Sequence, residues 1–234
     1  FAKKWPVFFL SEALEKKLCK KIILDPAALQ KITQIKESPR PVLLEQLLAL
    51  FLLLAISPLM IVLMILIKLN SDPGPCFYHQ ERVGQFGRIF RMTKFRSMRM
   101  NAETNECPQW ASYSDPRSTK IGAWLRRTHL DELPQLWHVV LGQMSFIGPR
   151  PERPHYVEKL SLRFPEYVLR HTVRPGITGL AQVKYCYAAC FSESKEKLSY
   201  DLYYIQHQSC WLDIYILLAT VNKVFLKSNL FNFA

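Results

Sequence analysis

The sequence is short of acid and of the motifs that most often announce a chemistry. Aspartate and glutamate total 19 against 31 lysines and arginines, for a formal charge of +12. That balance excludes an acidic, solvating chain and points to polyanions: nucleic acid, an anionic membrane surface or phosphorylated substrates. The six cysteines (Cys19, Cys76, Cys107, Cys186, Cys190, Cys210) include no CxxC pair, and Cys186 with Cys190 lacks the histidines that would complete a zinc site. Scattered free thiols in a reducing compartment are expected. The histidines form no HExxH or HxxxH arrangement, Gly84-Gln85-Phe86-Gly87 is not a P-loop, no GxGxxG follows a strand, and no DxD metal motif is present. Helix-turn-helix, zinc-finger and RNP signatures are missing as well, so nucleic acid is not an expected partner. No internal repeat is visible, and no signal peptide is expected, since the long apolar run starts near residue 47 and lacks a small-residue cleavage site. The chain opens on Phe1, as expected of a piece of something longer.

What is present begins with length. At 234 residues the chain suits one domain and an appendage. Leu47 to Ile67 runs 21 residues without a charge, the length of a transmembrane helix. Ser57-Pro58 sits near its midpoint, where proline removes a helical hydrogen bond and predicts a kink. Lys31, Lys36 and Arg40 precede the run and Lys68, Arg82 and Arg88 follow it, so the positive-inside tendency does not choose an orientation. The residues alone leave two main readings open, a kinked span and a re-entrant hairpin that returns to the same face, with a buried soluble helix as a lesser third. The carbonyl freed near the break is expected to be satisfied by the Ser57 hydroxyl or by packed protein.

Residues 1 to 40 are mixed and basic and end in a linker, "KESPRP". After the apolar run, the stretch around Gly84 and Gly87 alternates apolar and polar residues and predicts a short β-hairpin. Residues 101 to 118 read as loop. From Thr119 to Leu141 apolar residues recur at helical spacing, interrupted by Pro134, and a new helix is expected around Asp131 to Pro134. Further on, "GPRPERPHYVEKL" reads as an extended proline segment leading into a helix, "RPGITGLAQV" as a turn and strand, and "DLYYIQHQSCWLDIYILLATVNKVF" as one long helix.

Asp131 and Glu132 therefore fall at a helix N-terminus, where capping is the plain role for a carboxylate. Their surroundings suggest more. Arg126 and Arg127 stand just upstream, Lys94 and Arg96 lie in "TKFRSM", and Arg150 sits between two prolines in "GPRPERP". Arginine offers a planar fork of donors to phosphate, and flanking prolines fix its approach. Carboxylates among such cations hold Mg²⁺ or attack phosphorus. Acid pair, cations and apolar run together suggest phosphoryl chemistry at a bilayer surface.

The segments "SPLM", "PGPCFYHQERVGQFGRIFRMTKFRSM", "DPRSTKIGAWLRRTHLDELPQLWHVVLGQMSFIGPRPERP", "HTVRPGITGLAQV" and "YDLYYIQHQSCWLD" together resemble the bacterial sugar transferase family, in order over roughly residues 41 to 230. These are monotopic phosphoglycosyl transferases that start exopolysaccharide, O-antigen and glycoprotein glycan assembly. The resemblance implies transfer of sugar-1-phosphate from a UDP-sugar to polyprenyl phosphate at the cytoplasmic face of a bacterial inner membrane, releasing UMP. It implies Asp131 as the nucleophile that forms an acyl-phosphate sugar intermediate, and Glu132 as a holder of Mg²⁺. Lys94, Arg126 and Arg150 become phosphate contacts, and Asp213 lies near the nucleotide or metal. Ser57 and Pro58 become the break of a re-entrant helix.

The expected fold is α+β: a mostly helical membrane-associated domain with a short hairpin. Residues 1–40 are expected to form an N-terminal basic segment, with the end of a longer N-terminal region left open, 41–70 the re-entrant membrane helix and 71–234 the cytoplasmic catalytic domain. A homodimer is an admissible assembly. Departures from the family pattern are His129 for a usual Ser, His138 for a usual Asn, Glu45 for a frequent Asp, and "GLAQVKYCYAA" for "GWAQVNGR", which changes Leu180 and the loop 183–190. That altered loop supplies the alternative reading, a catalytically impaired binding protein of the same fold for nucleotide-sugar or lipid phosphate. A glycosyltransferase that leaves UDP is a third reading, disfavoured by the missing DxD.

Overall fold

The computed structural model describes residues 42–70, 73–100, 102, 115–184 and 191–224. The segment 1–40, Cys19, Cys107, Cys186, Cys190 and most of the 183–190 loop lie outside them. Helix α1 (Val42–Asn70) is the apolar run extended at both ends. It is followed by an antiparallel hairpin of β1 (Phe77–Val83) and β2 (Ile89–Phe95), paired from Phe77 with Phe95 to Val83 with Ile89. A 3-10 turn at Gln85–Gly87 closes the hairpin, with the Gly84 N–H donating to the Arg88 carbonyl at 2.8 Å. The hairpin is where the alternation and the two glycines place it.

Helix α2 (Lys120–Arg127) starts at Thr119, whose hydroxyl accepts from the Gly122 N–H at 3.0 Å. A 3-10 turn (Leu130–Gln135) then leads into the short helix α3 (Leu136–Val140). Pro134 falls inside the 3-10 turn, so the helix expected from Asp131 begins as a tighter coil that tolerates proline. Strands β3 (Ser145–Ile147) and β4 (Gly176–Thr178) form a second, parallel pair, flanking helix α4 (Pro154–Arg163) and a 3-10 segment (Pro165–Thr172). A Cβ on Gly176 would lie 2.1 Å from the Gly148 nitrogen, so the crossing at the end of this sheet requires glycine.

Two expectations in the C-terminal half need correction. The strand predicted through "GITGLAQV" stops at Thr178, and Leu180–Lys184 is a helix, α5. The single long C-terminal helix is two, α6 (Phe191–Gln206) and α7 (Cys210–Asn222). Ser209 separates them by capping α7, its hydroxyl accepting from the Leu212 N–H at 3.3 Å. The main core joins α4, α6 and α7 through Tyr156, Leu160, Leu198, Leu202, Leu212 and Ile216.

Helix α1 is poorly covered by protein. Leu43, Leu47, Phe51, Leu54, Ile61 and Ile65 are all exposed along it, and only 11% of its most apolar window is buried. A soluble core helix would hide this surface, so its exposure calls for lipid. Both end portions of α1 nevertheless dock on the same domain: Ala49 packs with Phe90, Met92, Val139 and Met144, while Leu63 and Ile67 pack with Phe95 and Leu125. The helix also stays helical through Ser57-Pro58, where a break was expected. The reason is local. Pro58 cannot donate to the carbonyl four residues back, and the Ser57 hydroxyl donates to that same Leu54 carbonyl at 2.8 Å.

The start of α1 is fastened by charge. Arg174 Nη2 lies 2.7 Å from Glu45 Oε2, and the Ser145 hydroxyl donates to Glu45 Oε1 at 2.8 Å. With Arg174 buried, Glu45→Ala should lower the unfolding free energy by about 3 kcal/mol through the stranded guanidinium. The apolar pair Glu45→Leu with Arg174→Met should recover most of that loss, as read by thermal unfolding in detergent micelles.

Candidate active site

Asp131 is buried and Glu132 half-buried, although their sequence context looks exposed. Asp131 is 7% exposed, in the first turn of the 3-10 segment. His129 precedes this turn at φ 57°, an uncommon conformation for a side chain larger than glycine. Its carbonyl accepts the Glu132 N–H at 3.2 Å, which closes the turn and fixes the two carboxylates relative to the backbone.

Glu132 is the centre of a cation clamp. Lys94 Nζ, from β2, donates to Oε1 at 2.7 Å. Arg150 reaches the same carboxylate with both nitrogens, Nη2 to Oε1 at 2.5 Å and Nη1 to Oε2 at 3.3 Å. Lys94 faces Glu132 because alternation along β2 puts it on the side of Phe90 and Met92, the residues that meet the domain core. Arg150 is held between Pro149 and Pro151, both limited in backbone freedom.

The two neighbouring carboxyls are pushed apart in acidity. Burial would raise Glu132, but the Arg150 and Lys94 charges outweigh it and hold its carboxyl well below the usual range. Burial, reinforced by the charge on Glu132, pushes Asp131 up to about 6, against the opposing pull of Lys94, Arg150 and Arg126. Burial also lowers the Lys94 ammonium, with Glu132 acting the other way. Among the described residues no hydrogen bond engages the Asp131 carboxylate, whereas both Glu132 oxygens are engaged. Adjacent groups with separated acidities take separate roles: Glu132 is a fixed anion that organises cations, and Asp131 is an uncommitted carboxylate.

The other expected site residues are placed less uniformly. Arg126 Nη1 donates to the Ser118 hydroxyl at 3.0 Å and acts on Asp131 through its charge. Arg96 is buried against the turn at Gly74. Asp213 accepts from the Tyr204 hydroxyl at 3.1 Å, on the α7 side of the core. His138 is structural: its Nε2 accepts from the Thr93 N–H at 2.9 Å while Nδ1 pairs with Gln143 Oε1 at 2.7 Å. Four contributors had no mark in the sequence: Arg82, Tyr167, Arg170 and Asp201, which support the Arg150 segment from behind. Nothing in their spacing distinguishes them from surface cations and a helix acid.

No group of three His, Cys, Asp or Glu suited to a metal occurs among the described residues. Mg²⁺ needs less than that, since one or two carboxylates with substrate phosphates and water complete its octahedron. A carboxylate has about four acceptor positions, and on Glu132 the Oε2 atom carries only the single Arg150 bond. The Asp131 and Glu132 oxygens thus fit such an ion.

The separated acidities have a stability signature. Asp131 has a folded value of about 6 against an ordinary 3.8, so the folded state binds the extra proton between those values and loses stability as pH rises through them. Asp131→Asn should therefore unfold at or above the parent temperature at pH 7.5, with the advantage gone at pH 4. Glu132→Gln should instead lose on the order of 2 to 4 kcal/mol, because Lys94 and Arg150 are left facing each other.

The chain matches the family described as bacterial sugar transferase over residues 40–227. It is 45% identical over 168 residues to the UDP-N-acetylgalactosamine-undecaprenyl-phosphate N-acetylgalactosaminephosphotransferase of Aeromonas hydrophila, covering 72% of this chain and 39% of that protein. It is 41% identical over 182 residues to the UDP-glucose:undecaprenyl-phosphate glucose-1-phosphate transferase of Escherichia coli K12, covering 77% and 39%. The exopolysaccharide production protein PSS of Rhizobium leguminosarum bv. phaseoli is 38% identical over 180 residues, covering 72% and 86%. The matched region spans about two fifths of the first two relatives. With the match extending from the start of α1 beyond the end of α7, the chain belongs to the bacterial sugar transferase family.

Proposed function

We propose that the chain transfers sugar-1-phosphate from a UDP-sugar to polyprenyl phosphate, giving polyprenyl-diphospho-sugar and UMP, with Asp131 as a covalent nucleophile. The observation that carries this reading is the split dyad: a buried, uncommitted carboxylate beside one clamped by two cations. The names of the relatives agree with the reaction class.

In the first half-reaction an Asp131 oxygen attacks the phosphorus that bears the sugar. The bond from that phosphorus to the bridging oxygen breaks, and UMP leaves with the electron pair. In the second, an oxygen of polyprenyl phosphate attacks the same phosphorus and returns the Asp131 carboxylate. Lys94, Arg126 and Arg150 would hold the phosphate oxygens whose charge is redistributed in each transition state. Glu132 keeps Lys94 and Arg150 aimed at one point before substrate arrives, so little reorganisation remains for the reaction itself. Bound Mg²⁺ would neutralise the diphosphate and ease departure of UMP. Asp213 is assigned to the vicinity of the nucleotide.

The lipid acceptor requires a membrane, and α1 supplies the contact. Between its docked positions Ala49 and Leu63, residues 50 to 62 would rise only about 20 Å as a straight helix, short of the roughly 30 Å hydrocarbon core. Docking of both portions on one domain favours a helix that dips into the cytoplasmic face of the inner membrane without crossing it. Helix α7 adds an exposed apolar face, Trp211, Ile214, Leu218 and Val221, beside which the bilayer surface is expected.

Detergent-solubilised protein given Mg²⁺, polyprenyl phosphate and a panel of UDP-sugars should release UMP with one or a few donors, and EDTA should stop the release. Asp131→Asn should abolish it, and Lys94→Ala or Arg150→Ala should each cost about 3 to 4 kcal/mol in kcat/KM. Release of UDP would instead mean plain glycosyl transfer, and donor binding without any release would favour the binding-protein reading. Because attack needs the ionised carboxylate, kcat/KM should fall on the acid side with a midpoint near Asp131's value of about 6, a limb tied to that residue.

A further inference from the structure

The Arg150 segment is held with unusual completeness. Each of four consecutive carbonyls accepts a hydrogen bond, from three different parts of the chain: Pro149 from the Gly176 N–H at 3.0 Å, Arg150 from Arg170 Nη2 at 2.9 Å, Pro151 from Arg82 Nη1 at 2.9 Å, and Glu152 from the Val83 N–H at 2.9 Å. Pro149 and Pro151 lack an N–H, so carbonyls are the main anchors left to this stretch. Three of the four donors belong to β1 and β4, the Arg82 guanidinium among them, which also lies 3.6 Å from Glu152. The fourth, Arg170, comes from the 3-10 segment and is the more deeply buried of the two guanidinium donors.

Arg170 is 5% exposed and Asp201, from α6, is 4% exposed. Arg170 Nη2 lies 2.7 Å from Asp201 Oδ2, Nη1 donates to the Tyr167 hydroxyl at 2.7 Å, and the guanidinium carbon stands 4.9 Å from the Tyr167 ring centre. Taking two charges out of water costs about as much as their attraction returns, so a buried pair is a poor source of stability compared with apolar packing. Its distinctive output here is directional: Asp201 fixes one edge of the guanidinium, and the same Nη2 nitrogen reaches the carbonyl of Arg150.

We infer that Arg170 and Asp201 are positioning residues for the transfer reaction, setting the backbone of Arg150 so that its side chain meets Glu132 and the substrate phosphate together. The inference rests on the proposed role of Arg150 as a phosphate contact. Neither residue touches the reacting atoms; each acts through the Arg150 carbonyl. A displacement of about 1 Å at a positioned group costs on the order of a hundredfold in rate, and loss of one of four anchors should cost less.

The test is a mutant cycle with Arg150. Replacing both charges, Arg170→Met with Asp201→Leu, removes the directional link while avoiding a stranded ion. In the parent this double change should weaken UDP affinity and lower kcat/KM by about tenfold, with kcat rather than acceptor KM carrying the kinetic loss. In an Arg150→Ala background the same change should alter UDP affinity less than about twofold, because the group it positions is gone. Equal losses in both backgrounds would overturn the inference, since a merely structural role is indifferent to Arg150. If the double variant does not fold, Asp201→Glu, which keeps the pair but lengthens the acid, is carried through the same cycle and must show the same dependence on Arg150. UMP release by the parent checks the reading beneath: its absence, with the UDP-affinity cycle still coupled, would fault the reaction and leave the positioning role standing.

Discussion

The structure is organised around one carboxylate. Glu132 joins β2 through Lys94 and the proline-flanked loop through Arg150, and it stands in the 3-10 turn that carries Asp131. Partly buried charges persist only where partners satisfy them, so this cluster dictates how closely three separate segments approach. The character of Asp131 follows from it. A lone buried acid would be protonated at neutral pH, while an acid bonded directly to both cations would be fixed as Glu132 is. One residue away from the clamp, Asp131 is drawn down by the cations without being occupied by them.

The membrane helix belongs to the same construction. Its start is tied to β3 and the approach to β4 by Glu45 with Ser145 and Arg174, and its later half packs on Phe95 and Leu125. Phe95 adjoins Lys94 in β2, and Leu125 adjoins Arg126 in α2. Two cations of the site thus grow from residues that α1 covers. On the proposed reaction, which would bring a water-soluble nucleotide-sugar to a lipid phosphate, there is a physical reason to build the cation cluster beside the exposed apolar helix.

Much of this was legible in the residues. The uncharged run, the alternation around Gly84 and Gly87, the helical spacing interrupted at Pro134 and the cations near Asp131 each report a local constraint. Even the Ser57 hydroxyl bond follows from what proline removes. What escaped was decided by single caps or by distance. Ser209 divides α6 from α7 with one hydroxyl inside an otherwise continuous apolar pattern, and Leu180–Lys184 turns helical after only three strand residues. The Arg170–Asp201 and Glu45–Arg174 pairs link positions far apart in the chain, and no periodicity announces which arginine among many will be buried. The burial of the acid pair itself depends on Lys94 and Arg150 arriving from other segments, so composition around "LDELP" could suggest the chemistry but not the enclosure.

The central claim is that Asp131 becomes covalently attached to the phosphosugar. The direct measurement is intact and peptide mass spectrometry on protein mixed with its UDP-sugar and Mg²⁺ in the absence of any lipid acceptor, with UMP counted in the same sample. The account predicts a burst of UMP of up to about one per chain and a mass increase of one sugar-phosphate on the peptide containing Asp131, discharged when polyprenyl phosphate is added. UMP that appears only when the acceptor is present, with no adduct at any stage, would contradict it and point to direct transfer between the two substrates.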